Sequence, residues 1–370
     1  MREGWTYKKL GEVCEIYQPK TLSTEDLVAD GDYPVYGANG IIGRFNSYNH
    51  EFPEVLLTCR GATCGRINIS QPFSWINGNA MVIHRKSDDL SFDFLKYVMF
   101  SLDYSLIITG AAQPQITRQK LAPTVISYPP LSEQQAIVSE LDKINELISL
   151  KKAQLSDLDA LAQSIFYDMF GDPIENEKGW EVKKLRDIVA EDCSISYGIV
   201  QPGDGVDNGV PVVRPVDMTH TYVKRCGLKQ TTKEISDSYK RTILKGNEIL
   251  MCVRGTTGLV ALATEDIKNC NVTRGVTPIE CNADNSRLYI YHLLLTAGIQ
   301  QYISNYTKGI ALKQINMQDV REIPLITPPL ALQQEFAKKI KLIEQQKAQI
   351  NSTIKDLETL LASRMQHWFD

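Results

Sequence analysis

The sequence predicts an α+β protein in which two pseudo-symmetric mixed α/β domains are separated by two long antiparallel coiled-coil helices. Three observations predict this arrangement: segments recur in order along the 370 residues, apolar heptads occur twice, and short β-branched runs precede each set of heptads. Two domains also suit the chain length, because ordinary domains contain about 100–200 residues.

Internal repetition is the first of these observations. Four segments of the first half recur in the same order in the second half: residues 4–10 at 179–185, 60–65 at 254–258, 110–116 at 309–315, and 129–135 at 328–334. The last two pairs share a spacing of 199 residues, whereas the first pair is spaced by 175, so the second copy is longer inside its mixed part. Because chance does not readily produce four matches in one order, the chain consists of two copies of one unit.

The mixed domains, residues 1–128 and 179–327, are predicted from short apolar runs broken by Gly, Asn and Asp. These runs are typical of strands joined by turns, and they occur at residues 33–36, 55–58, 211–213 and 248–251. One helix is predicted near residues 92–102 and another near 288–302.

Each mixed domain is followed by a predicted long helix, at residues 129–170 and 328–370. Two prolines begin each of these segments, and proline is tolerated just before or at the start of a helix. Residues 132–135 have the spacing of a capping box. The coiled-coil positions step by four and three: Ile137, Leu141, Ile144, Ile148, Leu155, Leu158, Phe336, Ile340, Ile343, Ile350, Ile354 and Leu357. Lys151 and Lys347 interrupt the two seams at different places.

The partner of each seam is open to two interpretations. A helix of this kind can pack on its own domain, but the simplest partner for one helix is its copy, running antiparallel. About 37 residues at 1.5 Å each reach roughly 55 Å, which exceeds an ordinary domain helix. Residues 171–178, which begin Gly-Asp-Pro, are then predicted to be a hinge between units.

Catalytic patterns are weak in this sequence. The two Pro-Pro-Leu segments lack the polar residue and the aromatic that flank the prolines of an amino-methyltransferase loop. Asp172 with Glu181 and Lys183 has the order of a nuclease metal site, but copy one has Thr6 in place of Glu181. No phosphate loop of a nucleotide-driven motor occurs, and the five histidines show no metal-ligand spacing. We therefore expect no catalytic residue, no metal and no cofactor.

Composition adds three expectations. The formal net charge of −4 argues against indiscriminate coating of nucleic acid, so any such contact must use local basic clusters. Eight scattered cysteines without a C-x-x-C pair favour reduced thiols and a cytoplasmic location. No signal peptide and no run of about 18 apolar residues is present, so we expect no membrane contact.

The order of these motifs resembles the specificity subunit of type I restriction–modification enzymes. The resemblance rests on a variable mixed domain, a Pro-Pro-Leu-x-x-Gln-Gln helix and a Phe170-Gly171-Asp172-Pro173 junction before Gly179-Trp180, followed by a second domain and helix. It implies target-recognition domains at 1–128 and 179–327 that read the two halves of a double-stranded DNA target. It also implies two modification (methyltransferase) subunits docked on the helices, with ATP-dependent restriction subunits joining through them. Copy two departs from the pattern, because Ala331-Leu332 replaces Ser132-Glu133.

Candidate DNA-binding residues follow from comparing the copies. Residues shared by both copies cannot distinguish two half-sites, so Arg60 and Arg254 are expected to support the loops or to contact phosphates. Base readers should lie where the copies diverge and should be able to form paired hydrogen bonds with base edges. The remaining candidates are Asn39, Arg44, Asn46, Arg66, Gln201, Arg214, Lys224, Arg225, Lys240 and Arg241. For each of them an ordinary solvated surface role stays open.

Two other functions remain possible at this point. A coiled-coil scaffold that binds proteins through both ends would show no sequence-dependent DNA binding. A fused enzyme would transfer methyl groups by itself. If the helices set the spacing, a 55 Å helix allows half-sites no more than about 16 base pairs apart at 3.4 Å per step, and replacing residues 1–128 should change one half-site only.

Overall fold

The computed structural model describes residues 2–110, 113–309 and 312–370. The centres of the two recurring Gly–Gln segments, positions 111–112 and 310–311, lie outside the described residues.

The chain divides into two compact units. Unit 1 comprises Met1–Lys152 and Ser352–Asp370, and unit 2 comprises Ala153–Asn351. Each unit therefore combines a mixed domain with parts of both long helices, so the helices do not form a compact unit of their own.

Unit 1 has nine strands among its described residues. They are β1 (Thr6–Lys9), β2 (Cys14–Tyr17), β3 (Tyr33–Gly37), β4 (Gly40–Phe45), β5 (Val55–Thr58), β6 (Ile67–Ile69), β7 (Trp75–Ile76), β8 (Ala80–Arg85) and β9 (Val125–Tyr128). Strands β2-β8-β5-β6 form an antiparallel sheet; β3 pairs antiparallel with β4 and parallel with β7; and β1 pairs antiparallel with β9. Strand β5 is a continuous apolar run because it is central and buried on both faces.

The α-helices of unit 1 are α1 (Leu10–Val13), α2 (Phe92–Ser101), α3 (Arg118–Leu121), the first part of α4 (Leu131–Phe170) and the last part of α9 (Leu330–Phe369). Helix α2 lies within one residue of its predicted position. Its buried Phe94 joins a core with Leu57 of β5 and with Ile137 and Leu141 of α4. The end of the chain packs against the same core through residues such as Trp368 and Phe369.

Unit 2 repeats most of the sheet plan, but among its described residues the sheet that corresponds to β2-β8-β5-β6 has three strands and not four. Its strands are β10 (Val182–Lys184), β11 (Val210–Val213), β12 (Lys229–Thr231), β13 (Ile249–Cys252), β14 (Val260–Leu262), β15 (Asn271–Val272), β16 (Val276–Ile279) and β17 (Pro324–Ile326). Strand β11 pairs antiparallel with β12 and parallel with β15, β13 pairs antiparallel with β14 and β16, and β10 pairs antiparallel with β17. The four strands predicted from apolar runs are confirmed as β3, β5, β11 and β13.

The α-helices of unit 2 are the last part of α4, α5 (Lys233–Asp237), α6 (Arg287–Leu295), α7 (Ala297–Tyr306), α8 (Met317–Arg321) and the first part of α9 (Leu330–Phe369). The single helix predicted near residues 288–302 is wrong, because two helices cover this region. Thr296 separates them in extended conformation, with φ −62° and ψ 146°. Its hydroxyl donates a 2.7 Å hydrogen bond to the carbonyl of Leu293, which offers the backbone an alternative to helix continuation.

The long helices pair antiparallel within each unit. In unit 1, Lys152 on α4 contacts Glu358 on α9 at 3.1 Å, and the earlier Glu140 contacts the later Arg364 at 3.1 Å. In unit 2, the rings of Phe166 and Phe336 lie 5.6 Å apart. The predicted mixed fold with antiparallel helix pairing is therefore present in each unit.

Most of the predicted coiled-coil positions are buried, and their contact with one another across the two long helices stays a prediction. Ten of them are buried: Ile137, Leu141, Ile144, Ile148, Leu158, Phe336, Ile340, Ile343, Ile350 and Ile354. Leu155 and Leu357 are half-buried. Lys347 interrupts the seam of unit 2. Burial lowers the pKa of its ammonium, but the hydrogen bonds that it donates to the carboxylates of Asp159 and Glu344 outweigh burial and raise that pKa.

The predicted capping box at residues 132–135 is not formed, because α4 already begins at Leu131. The glutamine of the repeated motif instead ties each long helix to its domain. Buried Gln134 accepts a hydrogen bond from the backbone N–H of Ser91 at 2.8 Å and donates to the carbonyl of Pro129 at 2.8 Å. Gln333 has the same role in unit 2, accepting from the Ser286 N–H at 2.8 Å and donating to the Pro328 carbonyl at 2.8 Å. These bonds explain why Ala331-Leu332 can replace Ser132-Glu133.

The predicted hinge at residues 171–178 lies inside unit 2 and not at the border between the units. The segment is held by hydrogen bonds: the indole N–H of Trp180 donates to the Phe170 carbonyl at 2.9 Å, and Asn176 bonds the backbone of Trp180 in both directions. The composition of the segment indicated a turn correctly, but these contacts fix its conformation.

All eight cysteines are unpaired, as the sequence predicted. Within the described ranges, no helix is both long and apolar enough to cross a bilayer.

Candidate nucleic-acid interface

Two of the recurring segments meet in each unit. We name residues 60–65 and 254–258 the Arg-Gly loops, and residues 109–115 and 308–314 the Gly-Gln hairpins. In unit 1 the N–H of Gly61 donates to the carbonyl of Pro114 at 3.0 Å. Thr109 and Gln115 exchange both backbone hydrogen bonds, at 2.9 and 2.8 Å, and close the hairpin.

Unit 2 forms the same contacts with different side chains. The N–H of Gly255 donates to the carbonyl of Lys313 at 2.8 Å, and Lys308 and Gln314 exchange backbone hydrogen bonds at 2.8 Å. Lys313 therefore occupies the position that Pro114 has in unit 1. Segments far apart in the sequence, but repeated together, thus form one backbone framework in both units.

Glycine is needed at positions 61 and 255 because of the backbone conformation there and not because space for a side chain is lacking. Their φ angles are +90° and +87°, a region that side chains disfavour. A Cβ atom at either position would meet nothing within 4 Å. The outer side of each Arg-Gly loop is therefore open to a ligand.

A third segment lies beside each Arg-Gly loop, and we name it the strand tip: residues 77–79 before β8 and residues 273–275 before β16. The carbonyl of Asn79 accepts a weak 3.5 Å contact from the thiol of Cys59. The N–H of Val253 donates to the carbonyl of Gly275 at 2.8 Å. Unlike the two loops, the strand tips differ between the units, with Gly78-Asn79 in one and Arg274-Gly275 in the other.

The charge of these segments is unusual for this chain. None of the loops, hairpins and tips contains Asp or Glu, although the whole chain has 44 acidic and 40 basic residues. Unit 2 places four cationic side chains there: Arg254, Arg274, Lys308 and Lys313. An acid-free surface with hydroxyls, amides and cations suits an anionic polymer.

The predicted unit 1 residues divide between this surface and the framework. The side-chain oxygen of Asn39 accepts a 2.6 Å hydrogen bond from Thr63 of the Arg-Gly loop, which brings Asn39 to exposed Arg60 and Arg66. Arg44 instead donates to the carbonyls of the loop at residues 31–32, at 2.7 Å for Asp32, so its guanidinium stabilises that loop.

The predicted unit 2 residues divide in the same way. Arg254 lies at the Arg-Gly loop, and its buried Nε has no hydrogen-bond partner among the described residues. Arg214 is held by Asp217 at 2.7 and 2.9 Å. Arg225 donates to the carbonyl of Lys268 at 3.2 Å, and its own N–H donates to Asp266 at 2.7 Å. Arg214 and Arg225 thus support their own loops.

The remaining predicted residues are exposed, away from any contact that assigns them a role: Asn46, Gln201, Lys224, Lys240 and Arg241. Lys240 and Arg241 lie on a short 3-10 turn that ends at Thr242. No observation of the structure tests DNA contact by any predicted residue, so these assignments stay predictions.

Sequence reasoning missed three residues of this surface. Exposed Arg274 lies over the ring of Tyr197, 5.7 Å from its centroid, at the strand tip. Exposed Asn79 and Lys313 complete the set. A search for positions at which the two copies differ could have found all three. The Arg-Gly loops, however, differ in length by one residue, and the strand tips have no identical residue at equivalent positions.

The predicted nuclease alternative is not supported by local geometry. Asp172 uses its carboxylate to accept backbone hydrogen bonds from Ile174 at 2.8 Å and Glu175 at 3.2 Å. Glu181 pairs with Lys183 at 3.3 Å. In the part of the chain that the structure describes, no three His, Cys, Asp or Glu side chains cluster as metal ligands.

Comparison with known proteins identifies the family. The model of the type I restriction modification DNA specificity domain matches residues 2–160 and 177–359, one match for each copy. The specificity subunit of the type I restriction enzyme EcoBI from Escherichia coli is 25% identical over 273 residues, which cover 67% of this chain and 56% of that relative. This chain therefore aligns with little more than half of that relative's length.

Solved structures share the fold. The S subunit of the type I restriction-modification system of M. genitalium has a TM-score of 0.58 at 14% identity, covering 99% of this chain and 96% of that chain. A chain from work on complex assembly and conformational transition of the type I R-M system has a TM-score of 0.60 at 17% identity, covering 99% and 97%. Because the family model matches most of both copies, the chain belongs to the type I restriction modification DNA specificity family.

Proposed function

We propose that the chain is the sequence-specific DNA-binding specificity subunit of a type I restriction–modification complex. In this proposal residues 1–128 and 179–327 are target-recognition domains, and each reads one half of a bipartite sequence in double-stranded DNA. The chain is non-catalytic, uses no cofactor and acts in the cytoplasm, while partner subunits methylate and cleave the DNA.

One observation carries the proposal: both units present the same acid-free loop framework next to strand tips that differ. A framework common to both units suits contacts to the DNA backbone, which are the same at every sequence. Side chains that differ suit contacts to bases, because arginine pairs with guanine and asparagine pairs with adenine. Asn39 and Asn79 in unit 1 and Arg274 in unit 2 are the best-placed candidates for base contact.

The surfaces of the long helices support the proposed partners. Leucines that are outside the seams remain largely exposed: Leu147, Leu150, Leu161, Leu342 and Leu360. Leu161 and Leu360 are equivalent positions of the two copies, so each unit presents one. In our proposal these exposed apolar side chains serve as contacts for another protein. In our proposal two modification subunits dock on residues 129–170 and 328–370, and restriction subunits join through them.

Methylome sequencing tests the proposed function directly. Cells carry the methyltransferase subunit gene with or without this chain, and methylated adenines are mapped across the genome. We expect a single bipartite motif that disappears when the chain is absent. Methylation that is independent of the chain, or methyl transfer by the purified chain alone, would contradict the proposal. A protein scaffold without a DNA role would likewise leave the methylome unchanged.

A further inference from the structure

We propose that unit 2 holds a DNA backbone phosphate in a depression beside its Arg-Gly loop, and that Lys313 gives this site a charge that the equivalent site of unit 1 lacks. The inference rests on the proposed function and deepens it, because it separates a sequence-independent contact from base reading. It also predicts that the two units bind the DNA backbone of their half-sites with unequal strength.

The depression has a volume of about 490 Å³ and lies between the Arg-Gly loop, helix α7 and the Gly-Gln hairpin. Its polar lining consists of Thr256, Thr257, Gln300, Ser304, Thr307 and Lys313, together with two glycines. None of its described lining residues carries a carboxylate. Hydroxyl and ammonium donors without a competing acid form a chemical environment that fits a phosphate group.

Neighbouring contacts fix the walls of the depression. The amide of Gln300 donates to the carbonyls of Gly258 at 2.9 Å and Leu294 at 2.7 Å, which anchors the loop to the start of α7. The hydroxyls of Thr257 and Thr307 lie 3.1 Å apart. Thr256 and Lys313 are exposed, so their donors reach a ligand without a change of fold.

The buried Nε of half-buried Arg254 adds a second observation. Arg254 begins the Arg-Gly loop, and its Nε–H is buried with no acceptor among the described residues. A buried guanidinium N–H without a partner is costly. Together with the nearby ammonium of Lys313, this guanidinium makes the loop electropositive and so favours an anion at the depression.

The asymmetry follows from one position. Gly61 and Gly255 donate to the carbonyls of Pro114 and Lys313 respectively, at 3.0 and 2.8 Å, so these two residues are structurally equivalent. Only Lys313 has a charged side chain. One ammonium that neutralises one phosphate contributes about −0.9 to the slope of log K against log salt on duplex DNA.

The experiment measures DNA affinity of the complete methyltransferase complex across a salt series, on the methylome-derived target and on a shuffled duplex. With Lys313→Ala we expect the slope to become less steep by about 0.9 on both duplexes, with the preference for target unchanged. With Pro114→Lys we expect the slope to steepen by a similar amount. Lys268→Ala is the control, because its ammonium already pairs with Glu265 at 3.1 Å, and it should leave the slope unchanged.

Several results would overturn the inference. These are unchanged slopes in both Lys313→Ala and Pro114→Lys, a change confined to the target duplex, or Lys268→Ala acting as strongly as Lys313→Ala. Inorganic phosphate that binds in a Lys313-dependent way at constant ionic strength, but does not weaken DNA binding, would mark a site for the free anion and would also overturn it. If the wild-type complex shows no preference for target over shuffled DNA, the proposed function fails instead.

Discussion

Units 1 and 2 share a hydrogen-bonded framework and differ in the side chains that fill it. The buried Gln134 and Gln333 make equivalent bonds, and Gly61 and Gly255 donate to equivalent hairpin carbonyls. In contrast, Ile137 of unit 1 corresponds to Phe336 of unit 2. The duplicated chain therefore retained backbone geometry while its core packing and its exposed tips diverged.

The difference is largest where the domain helix packs on the long helices. In unit 1 the hydroxyl of Tyr97 donates to Asp142 at 2.5 Å. At the equivalent place in unit 2, His292 is half-buried beside Lys347, and this partial burial, aided by that ammonium, lowers its pKa to about 4. A cavity of about 320 Å³ adjoins His292. The two units should therefore respond differently to core substitutions and to acid.

Core substitutions at Phe336 and Ile137 are expected to have the largest effects. Phe336 contacts the rings of Phe166, Phe170 and Tyr289 at 5.6, 5.5 and 6.4 Å. Phe336→Ala should lower the free energy of unfolding of unit 2 by about 4 kcal/mol, and Ile137→Ala should lower that of unit 1 by about 3 kcal/mol. Hydrogen exchange resolved by unit, with denaturant titration, measures both.

Leu342→Ala is the control for these substitutions, because Leu342 is 61% exposed. It should change either unfolding free energy by less than about 0.5 kcal/mol. Equal destabilisation of both units by Phe336→Ala would show that the separate cores do not exist.

The buried glutamines test the shared framework. Gln333→Leu removes the partners of the Ser286 N–H and the Pro328 carbonyl, so the free energy of unfolding of unit 2 should fall by about 3 kcal/mol. Gln134→Leu should affect unit 1 similarly. The adjacent, exposed Gln334 and Gln135 provide matched controls, and leucine at those positions should change little. If the control variants and the buried variants change the free energy of unfolding equally, the hydrogen bonds of the buried glutamines do not stabilise the units.

The effect of pH on the free energy of unfolding is the smallest difference that we expect between the two units. His292 has a lowered pKa in the folded state, so between pH 6.5 and 4 the unfolded chain binds a proton that the folded chain does not. The free energy of unfolding therefore decreases as the pH is lowered through this range. From pH 7 to pH 5 the free energy of unfolding of unit 2 should fall by about 2 kcal/mol from this group. His292→Gln should remove that part, as denaturant midpoints at the two pH values will show. An unaltered pH dependence in His292→Gln would contradict this cause.

Much of the fold could be predicted from local patterns, since heptads and β-branched runs reflect burial directly. The capping box was wrong because the prolines place the helix start at Leu131, and the true partner of Gln134 is Ser91, which is 43 residues away in sequence. The break at Thr296 was missed because an apolar helical pattern continues across it. Neither the hydrogen bond between Gln134 and Ser91 nor the break at Thr296 can be predicted from residue spacing alone.

The candidate site was predictable only in part. Comparing the copies indicated Arg60 and Arg254 because their loops recur. Arg44 and Arg225 resembled base readers in sequence, but each guanidinium is bound by carbonyls from elsewhere in the chain. Arg274 was missed because the shorter Arg-Gly loop and the dissimilar strand tips hide its equivalence to Gly78. Backbone pairing reveals it.

The independence of the two half-sites can be measured by methylome sequencing of complexes with altered tips. Asn39→Ala with Asn79→Ala should relax one half of the methylated motif, and Arg274→Ala should relax only the other half, with a cost of about 1–3 kcal/mol for each lost base contact. If either set of changes alters both halves together, or if neither alters the motif, the two units do not read DNA separately.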